Sequence, residues 1–277
     1  MIQDIAPKKY NNAFHVKDPR DSDTILVFDK NMVLCHKSGE EVRYPTLAEL
    51  GAKYSDCTFL FSIDDVDYFL LRTTGYCAPV DFSFENITLF RTALPGDLAF
   101  AGFVAWQLYN WYNDNKYCGR CGHPLIPSEK ERMLACAGCG NTIYPKISPG
   151  VIVAITAGDR LLMTKYADRP YSNYALVAGF TEIGETLEQT VEREVMEEVG
   201  LKVKNITYYK SQPWAFSSSL LCGFFAEVDG DITVTLQTDE LALAEWFTRD
   251  EIVLQPDNLS LTREMMMVFK NGGYNKS

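Results

Sequence analysis

The stretch Gly179-Phe-Thr-Glu-Ile-Gly-Glu185-Thr-Leu-Glu-Gln-Thr-Val-Glu-Arg193-Glu194-Val195-Met-Glu197-Glu198-Val-Gly200-Leu201 carries most of the information in this chain. Thr186 and Gln189 have the spacing of a capping box, in which each side chain satisfies the other residue's backbone N–H. Leu187, Val191, Val195 and Val199 recur every four residues and form one apolar stripe. Gly200 is placed to end the helix in a left-handed turn. The expectation is an amphipathic helix between Thr186 and Gly200. At about 100° per residue, Glu194 and Glu198 point only about 40° apart, at the edge of the stripe. Glu197 lies one turn from Glu194 on a more exposed side. Like charges one turn apart repel, and a solvated face would mix them with lysine. The cluster makes sense when cations neutralise it, and hard carboxylate oxygens suit Mg²⁺ or Mn²⁺.

Around this helix the pattern alternates. Upstream, Val151–Ile155, Arg160–Lys165 and Tyr174–Val177 read as strands. Downstream, Thr207–Tyr209, Leu220–Glu227, Ile232–Thr235 and Ala244–Phe247 read as further strands, and Ser260–Asn271 as a last helix stopped by Gly272-Gly273. Strands on both sides of one helix, followed by a late helix, predict an α/β/α sandwich over 147–277. Residues 1–113 hold short strand-like runs, at Thr24–Phe28, Phe59–Phe61 and Tyr68–Leu71. A helix follows Pro95-Gly96-Asp97 and runs to about Asn113, with Asp97 as its expected cap. This part reads as an α+β accessory domain without a chemical motif.

Between the two lie the pairs Cys118-Gly-Arg-Cys121 and Cys136-Ala-Gly-Cys139, separated by fourteen residues. Two C-x2-C pairs at that spacing predict a closed, structural four-cysteine Zn²⁺ site in a ribbon over 114–146. His123 is not needed as a ligand and reads as a local hydrogen-bonding residue. The scattered Cys35, Cys57, Cys77 and Cys222 read as buried small hydrophobes. A formal charge of −11 argues against a general nucleic-acid binder. Lys116, Arg120, Lys130, Arg132 and Lys146 nevertheless flank the ribbon, where they could meet an RNA strand. Met1–Asn12 is polar, no run of about 18 apolar residues occurs, and Asn275-Lys276-Ser277 is no peroxisomal signal. The expected location is the cytoplasm, away from membranes.

The quoted stretch matches, at every defined position, the box G-x5-E-x7-R-E-U-x-E-E-x-G-U of the Nudix hydrolases, where U is aliphatic. The resemblance implies that Arg193 orients the glutamates, that Glu194 and Glu198 bind Mg²⁺ or Mn²⁺, and that Glu197 and Glu198 share metal binding and water activation. Ser211-Gln212-Pro213-Trp214-Ala215-Phe216-Ser217-Ser218-Ser219 resembles the S-Q-P-W-P-F-P-x-S signature loop of the NADH pyrophosphatase subfamily, with Ala215 and Ser217 where that signature has proline. Membership of that subfamily implies hydrolysis of NADH or NAD to AMP and nicotinamide mononucleotide, removal of NAD caps from RNA, and a homodimer. It also implies that Phe180 stacks on the substrate base. Glu131, Tyr144, Ala178, the signature residues Gln212 to Ser219 and Thr262 become substrate contacts, and Glu240, in Asp239-Glu240-Leu241, a third glutamate for the divalent cation. The rival readings are a broad nucleoside-diphosphate-X hydrolase acting on ADP-ribose or diadenosine compounds, and a non-catalytic Nudix nucleotide sensor.

Overall fold

The computed structural model describes the chain except residues 74–75, 168–172, 238–239, 256–257 and 275–277. Asp239 and the terminal Asn275-Lys276-Ser277 therefore lie outside the described residues. The chain divides into two compact units, Ile2–Lys146 and Ile147–Ser277, the latter with Met1. No helix among the described residues is long and apolar enough to cross a membrane.

The C-terminal unit is built on a mixed sheet. Its elements are β1 (Ser148–Ala157), β2 (Arg160–Tyr166), β3 (Val177–Phe180), α1 (Leu187–Val199), β4 (Val203–Trp214), β5 (Ser219–Val228), β6 (Leu241–Thr248) and α2 (Leu261–Lys270). The sheet order is β4-β5-β1-β2-β6, with β3 also paired to β1. β1 and β5 are parallel, and the remaining pairs are antiparallel. Strand residues alternate between faces, and the central strand β1 shows what this does. Val151, Val153 and Ile155 pack with Val191, Val195 and Val199 of α1. Ile152 and Ala154 pack with Leu261, Met265, Met266 and Phe269 of α2. A strand buried on both faces reads as a continuous apolar run, and the unit is an α/β/α sandwich.

Several expectations are corrected here. Ile232–Thr235 is not a strand. The Thr235 and Gln237 amides donate to Val199 and Glu198 carbonyls at the end of α1, so this segment caps the helix instead of joining a sheet. The strand expected at Tyr174–Val177 begins only at Val177 and runs into the quoted stretch, while Ala175 makes an isolated bridge to Thr164. Ser211–Trp214 is not loop. It completes β4, and Ala215–Ser217 forms a single 3₁₀ turn before β5.

In the N-terminal unit, one sheet orders Tyr10–Asn11, Cys57–Ile63, Val66–Leu71 and Thr24–Leu26. A second sheet gathers Phe28–Asp29, Glu41–Arg43 and Ser83–Asn86 around Met32–Ser38. The expected single strand Thr24–Phe28 is thus split at Val27. The long helix is Gly96–Asp114, capped by the backbone of Pro95. Asp97 lies inside it, buried, and accepts from Lys8 Nζ at 2.7 Å, so it is an ion-pair partner and not the cap. With these strands and helix the unit is α+β. Cys35 and Cys222 are buried as expected, Cys57 only partly, and Cys77 is exposed in an irregular segment.

Candidate active site

α1 begins and ends where its sequence dictates. Thr186 Oγ1 accepts from the Gln189 amide while the Gln189 side chain accepts from the Thr186 amide, and Gly200 closes the helix at φ 67°. The apolar stripe is fully buried at Val191, Val195 and Val199. This packing carries Glu194 and Glu198 inward with it, to 8% and 2% exposure, whereas Glu197 remains exposed. Two neighbouring carboxylates are thus drawn toward the core on one helix face.

Arg193 organises the cluster. Its guanidinium donates to Glu185 at 2.6 and 3.0 Å, to Glu194 at 2.7 Å and to Glu197 at 3.1 Å, and to the Phe180 carbonyl at 2.9 Å. One side chain therefore ties the strand β3, the connecting loop and α1 together. The fork of parallel donors allows this, where a lysine would supply only a point charge. Glu185 also accepts from the Glu182 amide and from Thr190 Oγ1. The Arg193 hydrogen bonds hold its carboxyl down at about 2. Burial pushes Glu194 up, Arg193 opposes that shift, and the charges of Glu197 and Glu240 add to it. Glu185 was not singled out from sequence, although it occupies a defined position of the box; its role only becomes visible once Arg193 reaches back eight residues.

The Glu194 carboxylate lies against the backbone of β3. A Cβ on Gly179 would fall 1.9 Å from the Glu194 carboxyl carbon, so no larger residue fits there without displacing it. Glu240 is exposed. Its carbonyl accepts from the Ala167 amide, and its amide donates to Gln237, whose own amide bonds Glu198. The turn that caps α1 thus also brings Glu240 into the field felt by Glu194. The donor set, all anionic carboxylate oxygen with a glycine-walled recess, fits a hard divalent cation. Among the described residues, the four cysteines are the one group of three or more His, Cys, Asp or Glu residues whose ligand atoms all lie within 4.8 Å of one another.

β1 links this cluster to the signature residues. Gly150 pairs with Phe180 on one side, and Ser148 with Ser219 on the other. Phe180 is 50% exposed. Trp214 and Phe216 meet edge to face, 5.4 Å between ring centres, and both reach the surface, as do Pro213, Ser217 and Ser218. Gln212, Ala215 and Ser219 do not. Gln212 is fully buried; its Nε2 donates to the Leu259 carbonyl at 2.6 Å and its Oε1 accepts from the Leu261 amide at 2.7 Å, so it staples β4 to the start of α2. Ser219 Oγ lies 2.8 Å from Ser217 Oγ. Ala178 and Thr262 are half-buried.

In the N-terminal unit, Cys118 and Cys139 sulfurs lie 3.7 Å apart and those of Cys121 and Cys136 3.4 Å. A small antiparallel sheet of Leu125–Pro127, Leu134–Cys136 and Thr142–Ile143 supports them. The Arg120 amide aimed at Cys118 Sγ helps bring that thiol down to about 6, and a thiolate is the form that binds Zn²⁺. His123 packs its ring over Gly138. Tyr144 Oη donates to Glu131 at 3.0 Å, which raises the phenol's pKa. Arg132 is taken up internally by Asn12 and the Leu60 carbonyl, so it is not a free cation for RNA.

Residues 146–268 match the family model described as the NUDIX domain. This stretch is similar to Nudix domains. Residues 113–144 match the NADH pyrophosphatase zinc ribbon domain, which makes the four-cysteine cluster a zinc site ahead of the Nudix domain. The NAD-capped RNA hydrolase NudC of Shigella flexneri is 44% identical over 161 residues, 58% of this chain and 62% of that one. The protein of the same name from Citrobacter koseri (strain ATCC BAA-895 / CDC 4225-83 / SGSC4696) is 42% identical over 160 residues, with the same coverage of 58% and 62%. The chain thus spans under two thirds of the length of these curated relatives. A solved structure of a NUDIX hydrolase from Nitrosomonas europaea, 23% identical, covers 58% of this chain and 94% of its own, with a TM-score of 0.49.

Proposed function

We propose that this chain is a metal-dependent hydrolase that splits the pyrophosphate of NADH or NAD into AMP and nicotinamide mononucleotide, and that it also removes NAD caps from RNA. The observation that carries the reading is the pair of inward-drawn carboxylates, Glu194 and Glu198, on a helix whose arginine fixes the cluster beside an exposed aromatic, Phe180. The names of the 42–44% identical relatives point to the same substrate class.

Glu194, Glu198 and Glu240 would hold Mg²⁺ or Mn²⁺, which when bound neutralises the diphosphate and activates water. Glu197, the exposed member, with Glu198, takes the proton of the attacking water. Arg193 holds both glutamate positions in register through its bonds to Glu185 and Phe180. Phe180 stacks on a base, with Trp214 and Phe216 as a second aromatic surface. Glu131, Tyr144, Ala178, Pro213, Ser217, Ser218 and Thr262 supply further contacts, while Gln212, Ala215 and Ser219 act by holding those neighbours in place. The three-part division into 1–113, ribbon 114–146 and Nudix 147–277 belongs to this reading, as do a homodimer and a reducing, cytoplasmic setting suited to a thiolate zinc site.

The test is product analysis over NADH, NAD, ADP-ribose, diadenosine diphosphate and NAD-capped RNA, with Mg²⁺ and with Mn²⁺. NADH or NAD and the capped RNA are expected to lead. Equal rates on all the small compounds would favour the broad hydrolase, a reading that Ala215 and Ser217 in place of prolines supports, since proline would stiffen that turn. No turnover of any would leave the sensor.

A further inference from the structure

The N-terminal unit holds a cavity of about 420 Å³ that belongs to no part of the Nudix chemistry. That size falls in the about 300–1,000 Å³ range of small-molecule sites. Its walls are aromatic: Phe28, Tyr76, Phe84, Tyr109 and Tyr112 line it. Phe28 and Tyr109 lie 5.1 Å apart at 30°, and Tyr109 stacks in turn on Trp106 at 5.5 Å, so the Tyr109 ring is braced from behind. Two cations stand at the same cavity. Arg72 lies over the Tyr112 ring at 4.9 Å, and Lys116 follows the end of the long helix. Both are exposed, and among the described residues neither forms an ion pair. Asp29, also exposed and lining the cavity, offers an acceptor.

Flat apolar walls select a planar aromatic group, unpaired cations select an anion, and an exposed carboxylate selects an amino donor. A nucleotide combines the three: a π face, a phosphate and, on adenine, cytosine or guanine, an exocyclic amine. We propose that this cavity is a second nucleotide site, with the base against the aromatic wall and the phosphate toward Arg72 and Lys116. Stacking on aromatic side chains and backbone-tracking cations are the common means of holding single-stranded nucleic acid without sequence readout. The same chemistry arises from a free mononucleotide or from one residue of an RNA strand. The inference concerns the N-terminal unit alone, so it stands or falls separately from NADH hydrolysis.

The test is photo-crosslinking of the full, zinc-loaded chain with 8-azido-AMP and with a 5′-phosphorylated oligoadenylate carrying one 8-azidoadenosine, adducts being mapped by mass spectrometry. Adducts on the peptides holding Tyr76, Tyr109 or Tyr112 are expected. Labelling by both probes identifies a general nucleotide site, and labelling by the oligonucleotide alone an RNA-strand site. Arg72→Glu should weaken the apparent Kd at least about tenfold, equivalent to about 1.4 kcal/mol, with NADH turnover unchanged. Lys116→Glu, at an exposed position, should do the same and guards against misfolding of the first variant. Labelling confined to the Nudix domain with both probes, or undiminished in both variants, would overturn the proposal.

Discussion

Gly179 is where one residue constrains the chemistry most visibly. Its missing side chain leaves room for the Glu194 carboxylate against β3. Gly179→Ala is expected to destabilise the C-terminal unit by about 1–3 kcal/mol, the usual cost of forcing an extra methyl into a packed site. It should also cut turnover, because Glu194 must move. Melting temperature and kcat measured together check this; an alanine variant with wild-type values for both would show that Glu194 does not sit where it is placed here. The sequence predicted glycine at this position only as a letter of a motif. The reason for it, a carboxylate pressed on the backbone, depends on two elements meeting and could not be read from spacing. Gln212 is the converse case: its place in the signature suggested a substrate contact, but both its amide atoms are occupied by the start of α2.

At the scale of elements, the helix α1 was legible almost to the residue, because its cap, stripe and stop are all local signals. What escaped were features set by partners. The segment around Ile232–Thr235 has strand-like composition, yet its amides serve the open carbonyls of α1. β3 starts later than its apolar run because pairing with β1, not hydrophobicity, sets its limits. The link between the box loop and α1 was likewise hidden until Glu185 met Arg193. That ion pair lowers Glu185 from its ordinary 4.5 to about 2. A carboxyl depressed in the folded state stabilises it above the unfolded pKa, and the contribution is lost as pH falls through the folded value. Wild type should therefore be more stable than Glu185→Gln at pH 6, the gap should narrow below about pH 4.5, and it should be gone near pH 2. Thermal melts across that range decide it, and a gap that stays constant down to pH 2 would mean that Glu185 acts without its charge.

At the scale of the molecule, the glutamate cluster lies in one compact unit and the four-cysteine cluster in the other. The ribbon's strands are two or three residues long, too short to bury a core. Metal–thiolate bonds supply much of the folding energy of such modules. Elemental analysis is expected to give one zinc per chain in the wild type, and Cys118→Ser should remove it and lower the melting temperature; zinc absent from the wild type, or one zinc per chain retained in the variant, would refute the four-cysteine site. The central claim, pyrophosphate hydrolysis driven from the glutamate helix, is met most directly by following NADH with a divalent cation present and separating the products. The account predicts AMP and reduced nicotinamide mononucleotide in equal amounts, and a loss of at least about 10²-fold in rate for a folded Glu198→Gln, the lower range for removing a positioned base. Intact NADH, cleavage at the nicotinamide–ribose bond, or a Glu198→Gln enzyme as fast as wild type would contradict it.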